Sequence, residues 1–220
     1  MNSTRRGYAG HSPLEDVLSR LVSGDALLSV DRHLLFEEYQ RMRQENIELR
    51  EQVTQEQQHK LTDELTQTWN RRYLEQHLAR LGQQSMRPQY RGDSWIVVID
   101  GDGVKQVNDT AGHLEGDRAI RLIATYLQEL MRPNDPVFRF GGDEFILTYI
   151  QVPEINGRLS RLVEGFLPYV AREETAAMRA LTLSIGATSI LPGENPQSAL
   201  KRADDAMYVA KKKRNTWHIA

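Results

Sequence analysis

The chain has 220 residues, 40% of them hydrophobic and 26% charged, with a net charge of −2. That length suits one substantial domain with an appendage, and the near-neutral balance excludes a bulk electrostatic pull toward nucleic acid or anionic membrane. With no cysteine there is no disulfide framework, thiolate zinc site or thiol nucleophile.

Residues 1–16 are polar and lack the apolar stretch of a secretory signal. No apolar run later in the chain approaches the roughly 20 residues of a membrane span. The expectation is a cytoplasmic protein with no membrane span. "SPLEDVLSRLVSG" reads as a short helix, with Ser12 as cap, Pro13 at the first helical position and Glu15 closing a capping box. From Asp25 to about Lys60 the chain is rich in Glu, Gln and Arg and free of Gly and Pro. Leu28, Leu35, Met42 and Leu49 recur every seven residues, and Tyr39, Asn46 and Val53 each follow four residues later. This is an a/d heptad pattern with Asn46 at an a position, which favours a defined register and commonly a parallel dimer. A single amphipathic helix packed on its own domain is the alternative, because Arg32, Glu56 and Lys60 interrupt the seam and leave about three good heptads.

Beyond residue 62 the elements alternate. "DSWIVVID" is a buried strand ending at Asp100, and "GDRAIRLIATYLQELM" an amphipathic helix. "VFRF" and "FILTYI" flank two glycines as a hairpin. "RLSRLVEGFLPYVARE" is a second helix, weakened near Pro168. "ALTLSIGATSI" is a strand whose Gly186 marks a bulge or a close approach. "NPQSALKRADDAMYVAKKK" is a third helix, and "TWHIA" a last strand. The pattern predicts an α/β domain over residues 63–220, its central sheet flanked by helices, preceded over residues 1–62 by a helical stalk.

Carboxylates gather at two strand ends: Asp100 and Asp102 after an apolar run, and Asp143 and Glu144 at the tip of "RFGGDEF". Strand ends and the turns after them are where ligands bind. If these strands are neighbours, three or four acids converge and cannot all stay ionised without a cation. A hard divalent ion answers this. Magnesium takes one or two carboxylates and completes its shell with water and phosphate oxygens. "DGDGVK" is a poor calcium loop, since the residue eleven after Asp100 is Ala111 rather than Glu, and no Walker-type loop is present.

Five ordered motifs across most of residues 63–215 resemble the GGDEF-domain diguanylate cyclases. "DELTQTWNRR" is similar to the family's D-x-L-T-x-x-x-N-R-R, and "IDGDGVKQVNDTAGHLEGD" to its D-x-D-x-F-K-x-x-N-D-x-x-G-H-x-x-G-D. "RFGGDEF" is the name motif, and "LTLSIGAT" and "ADDAMYVAK" match its later stretches. The resemblance implies a palm-like α/β fold related to nucleotidyl cyclases. It also implies the joining of two GTP molecules into cyclic di-GMP with release of two pyrophosphates, and a magnesium or manganese cofactor. Each domain would hold one GTP, so two must face each other, and a homodimeric coiled coil over the N-terminal stalk would raise the effective concentration of one half-site near the other.

By position, the resemblance makes Asp100, Asp143 and Glu144 the metal ligands, with Asp143 and Glu144 catalytic and Asp143 placed to help deprotonate the attacking 3′-hydroxyl. Asn108 and Asp117 would read guanine, chemistry that an amide and a carboxylate supply. Lys105 and the backbone at Gly103 and Val104 would lie against the triphosphate, as would Lys211 and Arg214. For that last pair, a basic final helical turn complementing the helix dipole is the alternative. Arg132 and Asp135 form the R-x-x-D of an inhibitory product site, although "RPNDP" is also good turn chemistry. His113 reads as a structural hydrogen-bonding residue. Three departures stand out: Gln67 and Thr68 replace a common Gly-Leu; Val104 replaces a Phe beside Gly101 and Gly103, which predicts a looser loop; and "AKKKRN" lacks a glycine. The rival function is a catalytically weak receptor or scaffold that binds GTP or cyclic di-GMP and signals through its stalk. A regulatory protein docking on residues 1–60 is compatible with either.

Overall fold

The computed structural model describes residues 19, 22–23, 29–59, 61–85 and 94–220, and the chain divides at Lys60/Leu61 into two units. In the first unit, helix α1 (Ser29–His59) occupies the Gly- and Pro-free stretch rich in strong helix formers. Phe36, Tyr39, Met42, Ile47 and Leu49 are all exposed on it. Tyr39, Met42 and Asn46 of the heptad seam, with Arg43, Ile47 and Arg50, line a groove of about 520 Å³ along this helix. The short helix expected over residues 13–23 lies almost wholly outside the described residues.

The second unit runs β1 (Trp69–Asn70), α2 (Arg71–Ser85), β2 (Trp95–Asp102), α3 (Val104–Ala111), α4 (His113–Leu130), β3 (Val137–Gly141), β4 (Glu144–Tyr149), α5 (Asn156–Val170), α6 (Ala176–Arg179), β5 (Thr182–Ser189), α7 (Pro196–Lys211) and β6 (Thr216–Ile219). The strands form one mixed sheet in the order β1-β3-β4-β2-β5-β6. β2 lies at its centre, antiparallel to both β4 and β5, while the two outer pairs are parallel. Because successive strand residues face opposite sides, Val97 and Ile99 enter a core with α3, α4, α5 and α6. Ile96 and Val98 enter a second core with α2 and α7. A strand buried on both faces must be apolar throughout its length, which is why "WIVVI" shows no alternation.

The hairpin, β2, α4, α5, α7 and β6 correspond to the elements expected, with three physical differences. α5 continues through Pro168, whose missing N–H falls in the last turn of the helix. β2 runs two residues past Asp100, with Gly101 paired to Leu183 and Asp102 to Thr182, so the stretch expected to be loose is part of the ladder. Val104, in place of a bulkier side chain, is buried in the core just after it. Gly186 makes no bulge, since the β2–β5 register is unbroken. It marks a close approach instead: a Cβ there would lie 2.0 Å from the Met207 nitrogen and 2.1 Å from the Ala203 carbonyl oxygen of α7. The register shift sits in β3, between Arg139 and Gly141. No helix among the described residues is long and apolar enough to cross a membrane.

Candidate active site

Asp100 and Asp102 share the β2 face that α7 covers, two residues apart on an otherwise apolar strand. Asp100 is 2% exposed. Its cross-strand neighbours are Glu144 on β4 and Ser184 on β5. Cross-strand partners present their side chains on one face, so the strand end and the hairpin tip do bring their acids together. Asp143 heads the same turn, and its carbonyl accepts from the Gly101 N–H at 3.1 Å. Lys211, the last residue of α7, donates from Nζ to Asp100 Oδ2 at 2.6 Å. Asp100 Oδ1 is buried without a partner.

The electrostatics follow from this crowding. Burial pushes the Asp100 carboxyl above its ordinary range; the Lys211 hydrogen bond opposes that shift, and the Asp143 and Asp102 charges reinforce it. Glu144 is raised by burial and then by Asp100, Asp143 and Asp204. Burial disfavours the Lys211 ammonium, yet its bond to Asp100 and the surrounding carboxylates hold it above its usual value. Among the described residues no three His, Cys, Asp or Glu side chains are gathered as a ready-made metal cage. An ion bound here would be shared among these few carboxylates and rely on water and phosphate for the rest of its shell, the habit of magnesium. An orphaned carboxylate oxygen on Asp100 and an all-oxygen donor set fit such an ion.

Asp102 has a different role. Its Oδ2 accepts from the Thr182 hydroxyl at 2.9 Å and the Ser184 hydroxyl at 2.8 Å, tying the ends of β2 and β5 together. The turn itself is held by Arg139, which donates from Nε and Nη2 to the Gly142 carbonyl at 3.0 and 2.9 Å and from Nη1 to both Asp63 oxygens at 2.9 and 3.1 Å. Burial pushes Asp63 upward, but bonds from Thr66 and Arg139 outweigh it and hold the carboxyl below its usual value. This clamp joins the first motif to the third across 76 residues. Sequence reading saw both motifs and missed the bond.

Asn108 on α3 and Asp117 on α4 are both half-buried, while Lys105 is exposed. Gly103 caps α3 with φ 96°. His113 opens α4 and is exposed. After Lys211 the glycine-free segment turns back with Arg214 and Asn215 both left-handed, at φ 57° and 46°, so two residues do what a glycine would do. The Arg214 side chain is exposed. Gln67 also adopts a left-handed φ of 57°, where the related motif has glycine.

Arg132 and Asp135 close a turn, with the Asp135 N–H bonded to the Arg132 carbonyl at 2.9 Å. Asp135 is buried and its Oδ2 has no partner. Burial raises its carboxyl despite the Arg158 and Arg132 guanidiniums and the Ile150 backbone N–H. Arg132, Arg158 and Arg161 converge on a cleft of about 360 Å³ with Tyr149 and Glu154. Arg158 and Arg161 were not among the residues singled out from sequence. Their spacing on α5 resembles any solvated helix face, and only the fold brings them beside Arg132.

A family model described as "Diguanylate cyclase, GGDEF domain" matches residues 60–216. The chain is 30% identical over 210 residues to a probable diguanylate cyclase, DgcJ of Escherichia coli, covering 93% of this chain and 37% of that protein. It is 32% identical over 182 residues to the diguanylate cyclase DgcP of Pseudomonas aeruginosa, covering 81% of this chain and 26% of that protein. It therefore spans well under half the length of these relatives. Among solved structures it is similar to the coiled coil and GGDEF domain of DgcB from Caulobacter crescentus in complex with c-di-GMP. There the TM-score is 0.70 at 28% identity, covering 88% of this chain and 100% of that one. It is also similar to the diguanylate cyclase SiaD from Pseudomonas aeruginosa in complex with its activator SiaC. There the TM-score is 0.65 at 26% identity, covering 97% of this chain and 93% of that one.

Proposed function

The chain belongs to the GGDEF family of diguanylate cyclases, and on that premise we propose that it condenses two GTP molecules into cyclic di-GMP with release of two pyrophosphates. The observation that carries this reading is the pairing that sets buried Asp100 opposite Glu144, with Asp143 in the adjoining turn. Asp100, Asp143 and Glu144 would hold a magnesium or manganese ion, which when bound stabilises charge on the transferring α-phosphoryl group. Asp143 takes the proton of the 3′-hydroxyl as its oxygen bonds to the α-phosphorus of the facing GTP and pyrophosphate leaves. The same exchange on the other side closes the ring. Lys105, Lys211 and Arg214, with the Gly103 and Val104 backbone, hold the triphosphate, and Asn108 and Asp117 read guanine. The bond to Asp100 sets the Lys211 ammonium at the edge of the carboxylate group.

Each chain supplies one half-site. The exposed Tyr39, Met42 and Leu49 of α1, with Asn46 at an a position, support a parallel coiled-coil homodimer. The cleft around Arg132, Arg158 and Arg161, with the unpartnered Oδ2 of Asp135 close by in the same turn as Arg132, supports an inhibitory site for cyclic di-GMP, since Arg grips phosphate and guanine in planar forks. Similarity along nearly the whole chain to a cyclase solved with its activator supports a regulatory protein docking on residues 1–60. Product analysis after incubation with GTP and magnesium tests the activity. Cyclic di-GMP from the wild type and none from Asp143→Asn is expected, whereas GTP binding without product from the wild type points to the receptor reading.

A further inference from the structure

We propose that Gly116 is a positioning residue for guanine recognition: its missing side chain is the seat in which the Asn108 carboxamide lies. A Cβ at Gly116 would fall 1.8 Å from Asn108 Oδ1, 2.5 Å from its Cγ and 2.9 Å from its Nδ2. All three atoms of the carboxamide therefore occupy space that any other residue at 116 would fill. The backbone fixes both sides of this contact. Gly112, at φ 86°, reverses the chain between α3 and α4, and its N–H bonds the Asn108 carbonyl at 2.9 Å. The Gly116 N–H in turn bonds the Gly112 carbonyl at 3.2 Å. These bonds tie α3 to α4 at their joint, and the Asn108 side chain lies across the first turn of α4. Asp117, the other residue read as a guanine ligand, follows Gly116 directly in the chain.

Helix propensity alone would favour alanine at this position. Glycine here forgoes that benefit, and the three atoms nearest to an added methyl group are those of the carboxamide. A flexible surface side chain could swing away from such a methyl at little energetic cost. The fold would survive, and the loss would fall on the placement of a hydrogen-bonding amide, which recognition depends on more strongly than stability does. The inference rests on the reading of Asn108 as a guanine ligand, and the experiment separates the two.

The full-length protein is compared as wild type, Gly116→Ala, Asn108→Ala and the double variant. KM and kcat are measured for GTP, together with the side-chain amide resonance of Asn108 in 15N spectra, assigned by its disappearance in Asn108→Ala. Gly116→Ala is expected to shift that resonance, to raise KM about tenfold with a smaller change in kcat, and to add nothing further in the Asn108→Ala background. Any loss of melting temperature in Gly116→Ala is expected to be recovered in the double variant, where the seat is vacant. An unmoved Asn108 amide in Gly116→Ala overturns the proposal. So does an effect on KM that adds in full to that of Asn108→Ala, or a melting loss that the double variant keeps. If Asn108→Ala leaves KM for GTP unchanged, the guanine reading fails and with it the role of the seat in recognition, while the amide shift still reports whether the seat exists.

Discussion

Replacing Gly186 with alanine tests whether α7 is held against β5 by backbone contact. The added Cβ would lie 2.0 Å from the Met207 nitrogen, 2.1 Å from the Ala203 carbonyl oxygen and 2.6 Å from the Met207 Cα. Ordinary contact distances begin above 3 Å, and these atoms are helix backbone, so no rotamer change relieves the clash. α7 must lift from the sheet by about 1 Å or more, which costs roughly 1–3 kcal/mol by the usual scale of overpacking. For a unit of this size that is a fall in melting temperature of about 3–10 °C. The same helix ends in Lys211, four residues beyond Met207, so lifting it withdraws Nζ from Asp100. The variant should therefore lose activity out of proportion to its loss of folded population. Thermal melting and initial rates at a temperature where both proteins are fully folded check the two parts. A melting point within about 1 °C of wild type with unchanged rate would show that backbone contact at Gly186 does not hold α7.

Further outcomes follow from individual contacts. Arg139→Ala removes the bonds to Asp63 and to the Gly142 carbonyl in a half-buried setting and should destabilise the second unit by about 2–3 kcal/mol. Product formation should fall further because the turn that carries Asp143 is released; denaturant unfolding with no change in midpoint would contradict this. Gln67→Gly relieves a left-handed non-glycine residue and should raise stability by about 0.5–1 kcal/mol, read as a small rise in melting temperature; a fall would be evidence against strain there. His77 hydrogen-bonds the Thr148 hydroxyl at 2.9 Å, and burial, with help from Arg80, pushes its imidazole down to about 4 from an ordinary 6.5. A depressed histidine contributes stability that is complete above about pH 6.5 and is lost as pH falls toward 4, because the unfolded chain takes the proton first. Between pH 7 and pH 5 the wild type should lose about 2 kcal/mol more than His77→Gln, and parallel pH profiles for the two would remove the basis for this assignment.

The readability of the sequence tracked the distance between the residues involved. The run Ile96–Ile99, the hairpin around Gly141 and Gly142, and the stripe on α4 are local patterns set by burial, and they were legible. Gly186 was legible as a point of close approach, although not which element approaches. α3 has only Val104 and Val107 buried over eight residues, too short a period to show. α2 carries a stripe of Leu74, Leu78 and Leu81, all buried, which has the helical spacing of a core-facing side. The carboxylates were legible as a set because two strand ends each showed their own pair. What joins them was not: Lys211 reaches Asp100 across 111 residues, and Thr182 and Ser184 reach Asp102 across 80 and 82. Such partners are fixed by the order of strands in the sheet. Arg158 and Arg161 sit beside Arg132 for the same reason.

The central claim is that two half-sites, one per chain, join two GTP molecules. The most direct measurement is the yield of cyclic di-GMP from GTP and magnesium across mixtures of wild-type and Asp143→Asn chains at fixed total concentration, after exchange of subunits. Product is expected to fall as the square of the wild-type fraction, because a mixed pair has only one working half. A linear fall, or no cyclic di-GMP from the wild type alone, would contradict it.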